Sequence, residues 1–428
     1  MTLQLRKFDA IIIVVMIVAA GLFFYKSGYI DSILPPVGPT PPDENTTEPP
    51  VEQPLPPTSL MPAYRRDVSP EDEGVHFDTL RVTREWWYYT AVFNDPSSEL
   101  RDWSVAVSFN HMARSDFLGS MKPDLLVVSL FSNQSDSYGG MINKKRYLDI
   151  LNEGTLIAHS PGVSVQFEDS WAEGQSPTWH VHAEDNDIDE AHDIIVDLEY
   201  TANSIPIWTL GTRAFDKSEG ELASYVFIGC TITGTITLDG TTYHVKGMGQ
   251  HEHTWTPNIL TRATINGWDW FSISFDNGYQ LYATNYLPFP AIISGKLSRL
   301  DPFGTLLFSP DNGKTVTELK DVDLKITSQD QRIFPFVKMP TSFDLTSSPS
   351  LNPLYTLSQS LLLGTHLTLN ADINVGPSIN KVWKFPSYIG MKISACQIDG
   401  TISWTDNDGD HELEVHGLGV SWSMRALL

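Results

Sequence analysis

Hydrophobic and polar residues alternate with a period of two along most of the chain after residue 70. In the segment 102–109, tryptophan, valine and phenylalanine occupy the odd positions, while aspartate, serine and alanine occupy the even ones. This period is typical of β-strands, whose successive side chains point to opposite faces of a sheet. Further strand-like runs are 163–167, 194–200, 225–238, 243–247, 271–275, 281–285, 367–373 and 391–404. Amphipathic helical patterns are almost absent, and 351–363 is the one place where a helix is expected, so the sequence predicts an all-β fold.

Two dipeptides have the composition of tight hairpin turns, Asp239-Gly240 and Asn277-Gly278. Asn, Asp and Gly adopt the positive φ angles that two-residue hairpin loops require. A two-residue loop at the second site pairs Asp276 with Tyr279 and fixes the register of both strands. The residues that this register places on one face are Asp269, Phe271, Ile273, Tyr282, Thr284 and Tyr286. The opposite face then carries Trp268, Trp270, Leu281 and Ala283.

The N-terminal region contains a segment of the membrane-spanning type. Arg6 and Lys7 precede an almost unbroken apolar run at residues 10–25. This pattern predicts a single-pass transmembrane helix within residues 1–33, with the N-terminus cytoplasmic and the remaining chain extracytoplasmic. A cleaved signal peptide has similar basic and apolar regions, but no clear A-x-A site follows, so a retained anchor is favoured.

The segment after the apolar run has the composition of a disordered stalk, predicted at residues 34–69. Eleven prolines lie among acids and threonines between residues 34 and 63, which favours extended polyproline II structure. The rest of the chain is long enough for two hydrophobic cores, and we predict folded domains at 70–258 and 259–428.

The charge balance narrows the choice of partners. The chain has 52 acidic and 28 basic residues and a net charge of −24, which argues against nucleic acid and against adhesion of the folded part to an anionic bilayer. The two cysteines, Cys230 and Cys396, are too few for a disulfide scaffold. They form either one bridge or, as favoured here, two buried thiols.

The first candidate site is the Glu-Trp-Trp-Tyr-Tyr run that begins at Glu85. Strand alternation places Glu85 with Trp87 and Tyr89 on one face, and the other two rings on the opposite face. A carboxyl beside apolar rings is expected to have a raised pKa and to serve as an acid. The alternative is a wide core strand in which Glu85 pairs with a buried arginine such as Arg84 or Arg213.

The second candidate site is a histidine-containing strand. On a strand, His251, His253 and Trp255 share one face and Glu252 lies on the other. Histidines in such a position act as acid–base groups, and the alternative is that they are hydrogen-bonded interior residues.

Histidines spaced by two residues are also able to chelate a metal ion. His251 and His253 have this spacing, as do His180 and His182, and His111 would complete a set. Because this spacing arises easily by chance on strands, acid–base histidines are favoured over a metal site. We predict neither a metal nor another cofactor.

The third candidate site is the Gly-Trp-Asp-Trp-Phe run, in which Asp269 lies between Trp268 and Trp270. The predicted register places this carboxylate near Tyr282 on a mostly apolar face. Such a group would either exchange a proton with a ligand or belong to a buried structural network.

The order and spacing of four motifs resemble those of the AttH-like and carotenoid 1,2-hydratase family. The motifs are Glu85-Trp86-Trp87-Tyr88-Tyr89, Ser224-Tyr225, Glu252-His253-Thr254-Trp255 and Gly267-Trp268-Asp269-Trp270-Phe271-Ser272. The resemblance covers about residues 75–300, and the C-terminal third follows only by its strand pattern. It implies tandem lipocalin-like β-barrels with a pocket for an apolar ligand.

The resemblance also implies a chemistry, the hydration of an isoprenoid chain by a hydro-lyase. In that reaction an acid protonates a trisubstituted alkene and water captures the tertiary cation, which aromatic faces stabilise. The family's Asp-His-x-Trp appears here with Glu252 in place of the aspartate. Where the family has Tyr-x-Asp, this chain has Tyr282-Ala283-Thr284.

The candidate residues follow from both lines of reasoning. The candidate catalytic residues are Glu252, His253, Asp269 and Glu85. The candidate substrate-binding residues are Trp87, Tyr89, His111, His251, Trp255, Trp268, Trp270 and Tyr282. The expected partners are a hydrophobic isoprenoid or lipid and, through the N-terminal helix, a membrane. The alternative function is a non-catalytic, membrane-tethered lipid carrier.

Overall fold

The computed structural model describes residues 67–77, 84–112, 124–144, 156–185, 188–210, 223–256, 265–288, 291–293, 296–298, 303–319, 322–329, 331–334, 337–347, 367–385, 387–406 and 409–426. The predicted anchor, nearly all of the predicted stalk, Arg213 and the helix expected at 351–363 lie outside these residues. Within the described part, no helix has the length and apolar character needed to cross a membrane.

The described part contains one short helix and many strands, which confirms the all-β prediction. The helix α1 is Pro70–Glu73. The strands of the first sheet are β1 Arg84–Val92, β2 Ser104–Met112, β3 Asp124–Phe131, β4 Ser137–Lys144, β5 Leu156–Ala158, β6 Val163–Phe167, β7 Ser170–Gln175, β8 Thr178–Glu184, β9 Ile194–Thr201, β10 Ile207–Leu210, β11 Ala223–Leu238 and β12 Thr241–Thr256.

The strands after residue 264 build the second sheet and two small hairpins. They are β13 Ile265–Phe275, β14 Gln280–Pro288, β15 Ala291–Ile293, β16 Lys296–Ser298, β17 Phe303–Ser309, β18 Thr317–Leu319, β19 Val322–Ser328, β20 Gln331–Phe334, β21 Val337–Met339, β22 Ser342–Ser347, β23 Leu367–Phe385, β24 Ser387–Asp406 and β25 Gly409–Ala426. The hairpins are β15–β16 and β20–β21.

Both large sheets are antiparallel and strongly curved. The first has the order β4-β3-β2-β1-β12-β11-β9-β8-β7-β6-β5, with β10 beside β11. The second has the order β18-β17-β14-β13-β25-β24-β23-β22-β19. One sheet forms a nearly closed barrel and the other a half-barrel. Each encloses its own apolar core, and a third core lies between the two sheets.

The predicted strand alternation is correct, but it divides the side chains between two interiors rather than between a core and solvent. Trp87 and Tyr89 of β1 point into the core enclosed by the first sheet. Tyr88, on the other face of β1, packs in the core between the sheets with Trp270 of the second sheet. Polar contacts also join the sheets there, since the Thr90 hydroxyl donates to Ser272 Oγ at 2.8 Å.

The two predicted hairpin turns differ in outcome. Asp239 and Gly240 have φ angles of 50° and 76°, and Leu238 pairs with Thr241, which confirms a two-residue loop. The prediction for Asn277-Gly278 is wrong by one residue. There Ser274 pairs with Gln280, and the Phe275 amide donates to the Tyr279 carbonyl, so the loop has three residues.

This one-residue change alters which residues of β14 share each face of β13. Trp268 pairs with Tyr286, Trp270 with Thr284 and Ser272 with Tyr282. The two tryptophans therefore share a face with these tyrosines and point toward the first sheet. Phe271 and Ile273 point into the core of the second sheet instead. Cys230 and Cys396 are free and buried, as favoured above.

A short N-terminal segment, residues 67–77, packs against the core that the first sheet encloses. We call this sheet with its core the first barrel, and the segment the N-terminal plug. Its helix α1 begins with a capping box, in which Ser69 and Asp72 exchange backbone and side-chain hydrogen bonds, and has Pro70 in its first turn. Glu73 and His76 lie in the barrel interior with 0% and 1% exposure. The Trp87 indole donates to the Glu73 carbonyl at 3.1 Å.

The side chain of Glu73, a residue of the plug, is buried in the barrel interior. Its carboxyl accepts hydrogen bonds from the Ser176 amide at 2.9 Å and from the Trp179 indole at 3.0 Å. Burial raises its pKa to about 7, because these two donors offset only part of the lost hydration. Since the unfolded value is 4.5, the folded protein binds this proton more tightly and loses stability as pH rises from 4.5 to 7.

We therefore expect Glu73→Gln to stabilise the protein above pH 7. The shift corresponds to about 2–3 kcal/mol at pH 8 and to little difference at pH 5. Urea unfolding at both pH values measures it. Glu71→Gln, at an exposed position of the same helix, is the matched control. Equal stabilities of wild type and Glu73→Gln at pH 8 would contradict the prediction.

Candidate functional site

A cavity lies between the two sheets, on the outer face of β1 and β12. Its volume is about 90 Å³. This is room for several waters or for one end of an apolar chain. Its lining residues are Arg84, Trp86, Tyr88, Asn110, His111, Glu252, Trp268, Asp269, Trp270, Thr284, Tyr286, Met391, Trp422 and Met424.

Glu252 is the buried carboxyl of this wall that is held by both sheets. From the first sheet, the Trp86 indole at 3.3 Å and the Thr254 hydroxyl at 3.0 Å contact Oε1. From the second sheet, the Trp270 indole at 2.7 Å and the Tyr282 hydroxyl at 2.9 Å donate to Oε2. Glu252 itself is 6% exposed. The wall therefore places an acid among aromatic rings.

Burial raises the pKa of Glu252, and the hydrogen bonds from Trp270, Tyr282, Thr254 and Trp86 only reduce the rise. Its protonated form is therefore more populated near neutral pH than that of a free glutamate. A carboxylic acid in this state is able to donate a proton to a bound molecule.

Asp269 borders the same cavity, but its carboxylate is held in an ion pair. Arg425 Nη2 lies 2.9 and 3.0 Å from the two Asp269 oxygens, and the Ser423 hydroxyl donates to Oδ1 at 2.6 Å. Asp269 is fully buried. This arrangement corresponds to the structural network that the sequence left open as the alternative.

Glu85 and His253 lie elsewhere, on the inner face of the first sheet under the N-terminal plug. Glu85 Oε1 lies 2.7 Å from His76 Nδ1 and 2.8 Å from His253 Nε2. The amides of His76 and Phe77 donate to Glu85 Oε2 at 2.8 and 2.7 Å. Among the described residues, the partners of Glu85 are thus histidines and backbone amides rather than Arg84, and the alternative partner Arg213 lies outside the described residues.

The predicted raised pKa of Glu85 is wrong. Burial by itself would raise it, but the charge of His76 and the hydrogen bonds from His253 and His76 outweigh burial and lower the pKa to about 2. Burial in turn lowers the pKa of His253, although its hydrogen bond with Glu85 opposes that change. An ionised Glu85 is a hydrogen-bond acceptor and not an acid.

The other predicted pocket residues of the first barrel form a filled core. His251 stacks on Tyr89 with ring centroids 4.4 Å apart, and His253 stacks on Trp87 with ring centroids 4.7 Å apart. Trp255 stacks on His76 of the plug at 3.9 Å. The structure therefore separates the predicted site in two. His111, Glu252, Trp268, Asp269 and Trp270 line the cavity, Tyr282 contacts Glu252 behind its wall, and the remaining candidates are packed inside the barrel.

One group of described residues has the composition of a metal site. Ligand atoms of His76, Glu85 and His253 lie within 4.8 Å of one another. The two nitrogen–oxygen distances, 2.7 and 2.8 Å, are those of hydrogen bonds, so shared protons account for the cluster. His180 and His182 do not join it, because Trp179 and Val181 occupy the inner face of β8 and the two histidines contact Asp197 on the outer face.

Sequence reasoning did not select several residues of the site, among them Tyr88, Trp422 and His76. Tyr88 and Trp422 line the cavity with ring centroids 5.3 Å apart, and Tyr88 Oη and Trp422 Nε1 are buried without a hydrogen-bond partner among the described residues. The Glu-Trp-Trp-Tyr-Tyr run pointed to Tyr88, whereas Trp422 lies in the C-terminal third, where no motif was recognised. His76 has no sequence signal, since it precedes the first long strand.

We expect Glu85→Gln to destabilise the protein strongly near neutral pH. The carboxylate has a folded pKa of about 2 against 4.5, so its stabilisation is present above pH 4.5 and lost as pH falls toward 2. The loss should be about 2–4 kcal/mol at pH 7 and vanish near pH 2. Asp197→Asn, which breaks a pair whose carboxylate is 43% exposed, should change stability by under about 1 kcal/mol. Equal effects of the two substitutions at pH 7 would refute the assignment.

Two solved structures with TM-scores of 0.50 support the fold. CghA has a TM-score of 0.50 and 12% identity, over 86% of this chain and 94% of its own. Kievitone hydratase from Nectria haematococca has a TM-score of 0.50 and 11% identity, over 86% and 98%. An AttH protein from Nitrosomonas europaea has a TM-score of 0.46 and 15% identity, over 83% and 95%.

No curated protein matches the chain. The AttH-like family model matches residues 63–332, which include the N-terminal plug, the whole first sheet and both β13 and β14. This match contains the four motifs recognised above and covers more than half of the sequence, so the chain belongs to the AttH-like family.

Proposed function

We propose that the cavity between the sheets binds an apolar molecule and that Glu252 protonates an alkene of this molecule, leading to hydration. The observation that carries the proposal is a buried carboxyl of raised pKa in a cavity wall of aromatic rings. The isoprenoid character of the substrate and the hydro-lyase reaction rest on the family resemblance. The name of kievitone hydratase is compatible with this chemistry.

The proposed reaction begins with proton transfer from the carboxyl of Glu252 to one alkene carbon. The π electrons form the new C–H bond, and the positive charge remains on the more substituted carbon. The faces of Trp86, Trp268 and Trp270 are available to stabilise this cation. Water adds to the cation, and the proton that the oxygen then loses returns to the Glu252 carboxylate.

The other cavity residues have supporting roles in this proposal. Met391 and Met424, with Trp422, provide an adaptable apolar surface from the second sheet. Thr284 stands where the family pattern has an aspartate, so Glu252 is the carboxyl left to act as acid at this wall. Asp269 is assigned to holding Arg425 and β25 in place.

The proposal includes the parts of the chain beyond the site. We propose that residues 1–33 anchor the protein in a membrane and that the proline-rich stalk separates this anchor from the folded part, which begins with the N-terminal plug and divides into two domains after residue 258. The apolar run at 10–25 and the proline-rich composition support this arrangement. The cavity would then bind its apolar ligand near the bilayer in which the protein is anchored.

A lipid carrier without catalysis is the second candidate, and one observation favours it. Both oxygens of Glu252 already have hydrogen-bond donors from the protein, so the carboxyl needs no substrate to be satisfied. Mass spectrometry of small molecules that co-purify with the protein separates the two. Retained phospholipid or fatty acid would support carriage, whereas a retained isoprenoid alkene or its tertiary alcohol would support hydration.

We expect Glu252→Gln to reduce hydration at least about 100-fold while ligand affinity changes little, because a glutamine keeps the shape but donates no acidic proton. Farnesol is the probe, with tertiary alcohol products measured by gas chromatography. In the wild type, activity should fall as pH rises through the raised pKa of Glu252, because the protonated form is the active one.

The matched control is Glu184→Gln, which alters a carboxyl that contacts His182 on the outer face of β8. It should leave both turnover and affinity unchanged. Turnover that survives in Glu252→Gln would overturn the acid assignment. Farnesol binding without any product in the wild type would favour the carrier.

A further inference from the structure

Each carboxyl oxygen of Glu252 has one indole partner and one hydroxyl partner. Trp86 and Trp270 provide indole N–H groups, which only donate. Thr254 and Tyr282 provide hydroxyls, which donate or accept. When Glu252 is protonated and its O–H is not directed at a molecule in the cavity, the O–H needs an acceptor within the protein, and among these four partners only the two hydroxyls accept.

The Thr254 hydroxyl has a second neighbour that the Tyr282 hydroxyl lacks. Thr254 Oγ1 lies 3.0 Å from Glu252 Oε1 and 2.7 Å from Ser224 Oγ. For Tyr282, the one acceptor among the described residues is Glu252 itself, at 2.9 Å. Its proton therefore stays directed at Oε2, and Thr254 is the partner able to turn its proton elsewhere.

We propose that Thr254 and Ser224 form a two-hydroxyl switch that satisfies Glu252 in both of its protonation states. With Glu252 ionised, Ser224 donates to Thr254, and Thr254 donates to Oε1. With Glu252 protonated, Oε1–H donates to Thr254, Thr254 donates to Ser224, and the Ser224 proton rotates away from Thr254. A hydroxyl has a single proton, so the two contacts of Thr254 alternate by bond rotation, without displacement of heavy atoms.

The burial of the pair makes this alternation matter. Thr254 and Ser224 are each 2% exposed, so water does not replace a missing donor or acceptor. The hydroxyls are held by the backbone, because Ser224 of β11 pairs directly with Thr254 of β12. Thr254 and Ser224 are positioning residues in this scheme, which rests on the proposed function only in that Glu252 must lose and regain its proton.

Other ionisable groups also lie near Glu252. The other ionisable groups on the cavity wall are Arg84, His111 and Asp269, of which His111 contacts Asp124 at 3.1 Å and Asp269 pairs with Arg425. The facing phenols of Tyr88, Tyr282 and Tyr286 have raised pKa values because they are buried, and they remain neutral.

Infrared spectroscopy of the full-length protein tests the switch without requiring turnover. The carbonyl stretch of a protonated carboxyl reports the titration of Glu252, and the band that disappears in Glu252→Gln assigns it. Ser224→Ala removes the acceptor for the Thr254 proton, which favours donation to an ionised Glu252. The pKa of Glu252 should then fall by roughly half to one unit.

Thr254→Val should act in the opposite direction. It removes the donor to the ionised form, where a hydrogen bond to a charged group is worth more than one to a neutral group, so the pKa should rise by roughly one unit. Thr254→Ser keeps the hydroxyl and should keep the wild-type titration. Near-ultraviolet circular dichroism checks that each variant is folded.

Opposite shifts in Ser224→Ala and Thr254→Val, with no shift in Thr254→Ser, support the switch. Shifts in the same direction, or no shift in Ser224→Ala, overturn it. These outcomes are independent of farnesol hydration. A protein that shows the opposite shifts but no product loses the proposed reaction and keeps the switch, and the reverse result keeps the reaction and loses the switch.

Discussion

Burial of β1 and of residues 249–255 of β12 on both faces is the constraint on which the rest of the structure depends. Their inner side chains fill the core of the first barrel, and their outer side chains meet the second sheet. Strands with two dry faces must pair every polar group that they carry. The site follows from this constraint, since Glu252 on the outer face of β12 accepts hydrogen bonds from Trp270 and Tyr282 of the second sheet.

Two glutamates on paired strands show how strongly surroundings decide chemistry. Glu85 and Glu252 are both buried, and burial disfavours the charge of each. Glu85 meets two histidines and two backbone amides, so it stays ionised. Glu252 meets four uncharged donors whose hydrogen bonds do not outweigh burial, so it keeps its proton more readily. The inner face thereby gains a hydrogen-bonded carboxylate that stabilises the fold, and the outer face gains an acid.

Strand positions and their two faces were predictable from alternation, as at β1, β6 and β12, because a period of two depends only on local geometry. The aromatic and histidine motifs pointed to Glu252 and Trp270, which both line the cavity between the sheets. Packing of one sheet on another and the arrival of His76 from a distant segment depend on tertiary contacts that no local pattern encodes. The one-residue error at Asn277-Gly278 has a similar origin, since Asp276 donates to the His416 carbonyl and thus bonds outside its own hairpin.

The N-terminal plug affects how the protein is to be truncated. Its residues 67–77 supply Glu73, His76 and Phe77 to the first barrel, although they precede the first strand of the sheet. An expression fragment that starts at Arg84 would contain all of the described strands and still lack the partners that the plug supplies to Glu85, Trp87 and Trp179. In such a fragment His253 would be the remaining hydrogen-bond partner of the Glu85 carboxylate among the described residues and the barrel interior would be exposed, so a soluble fragment has to begin upstream of Asp67.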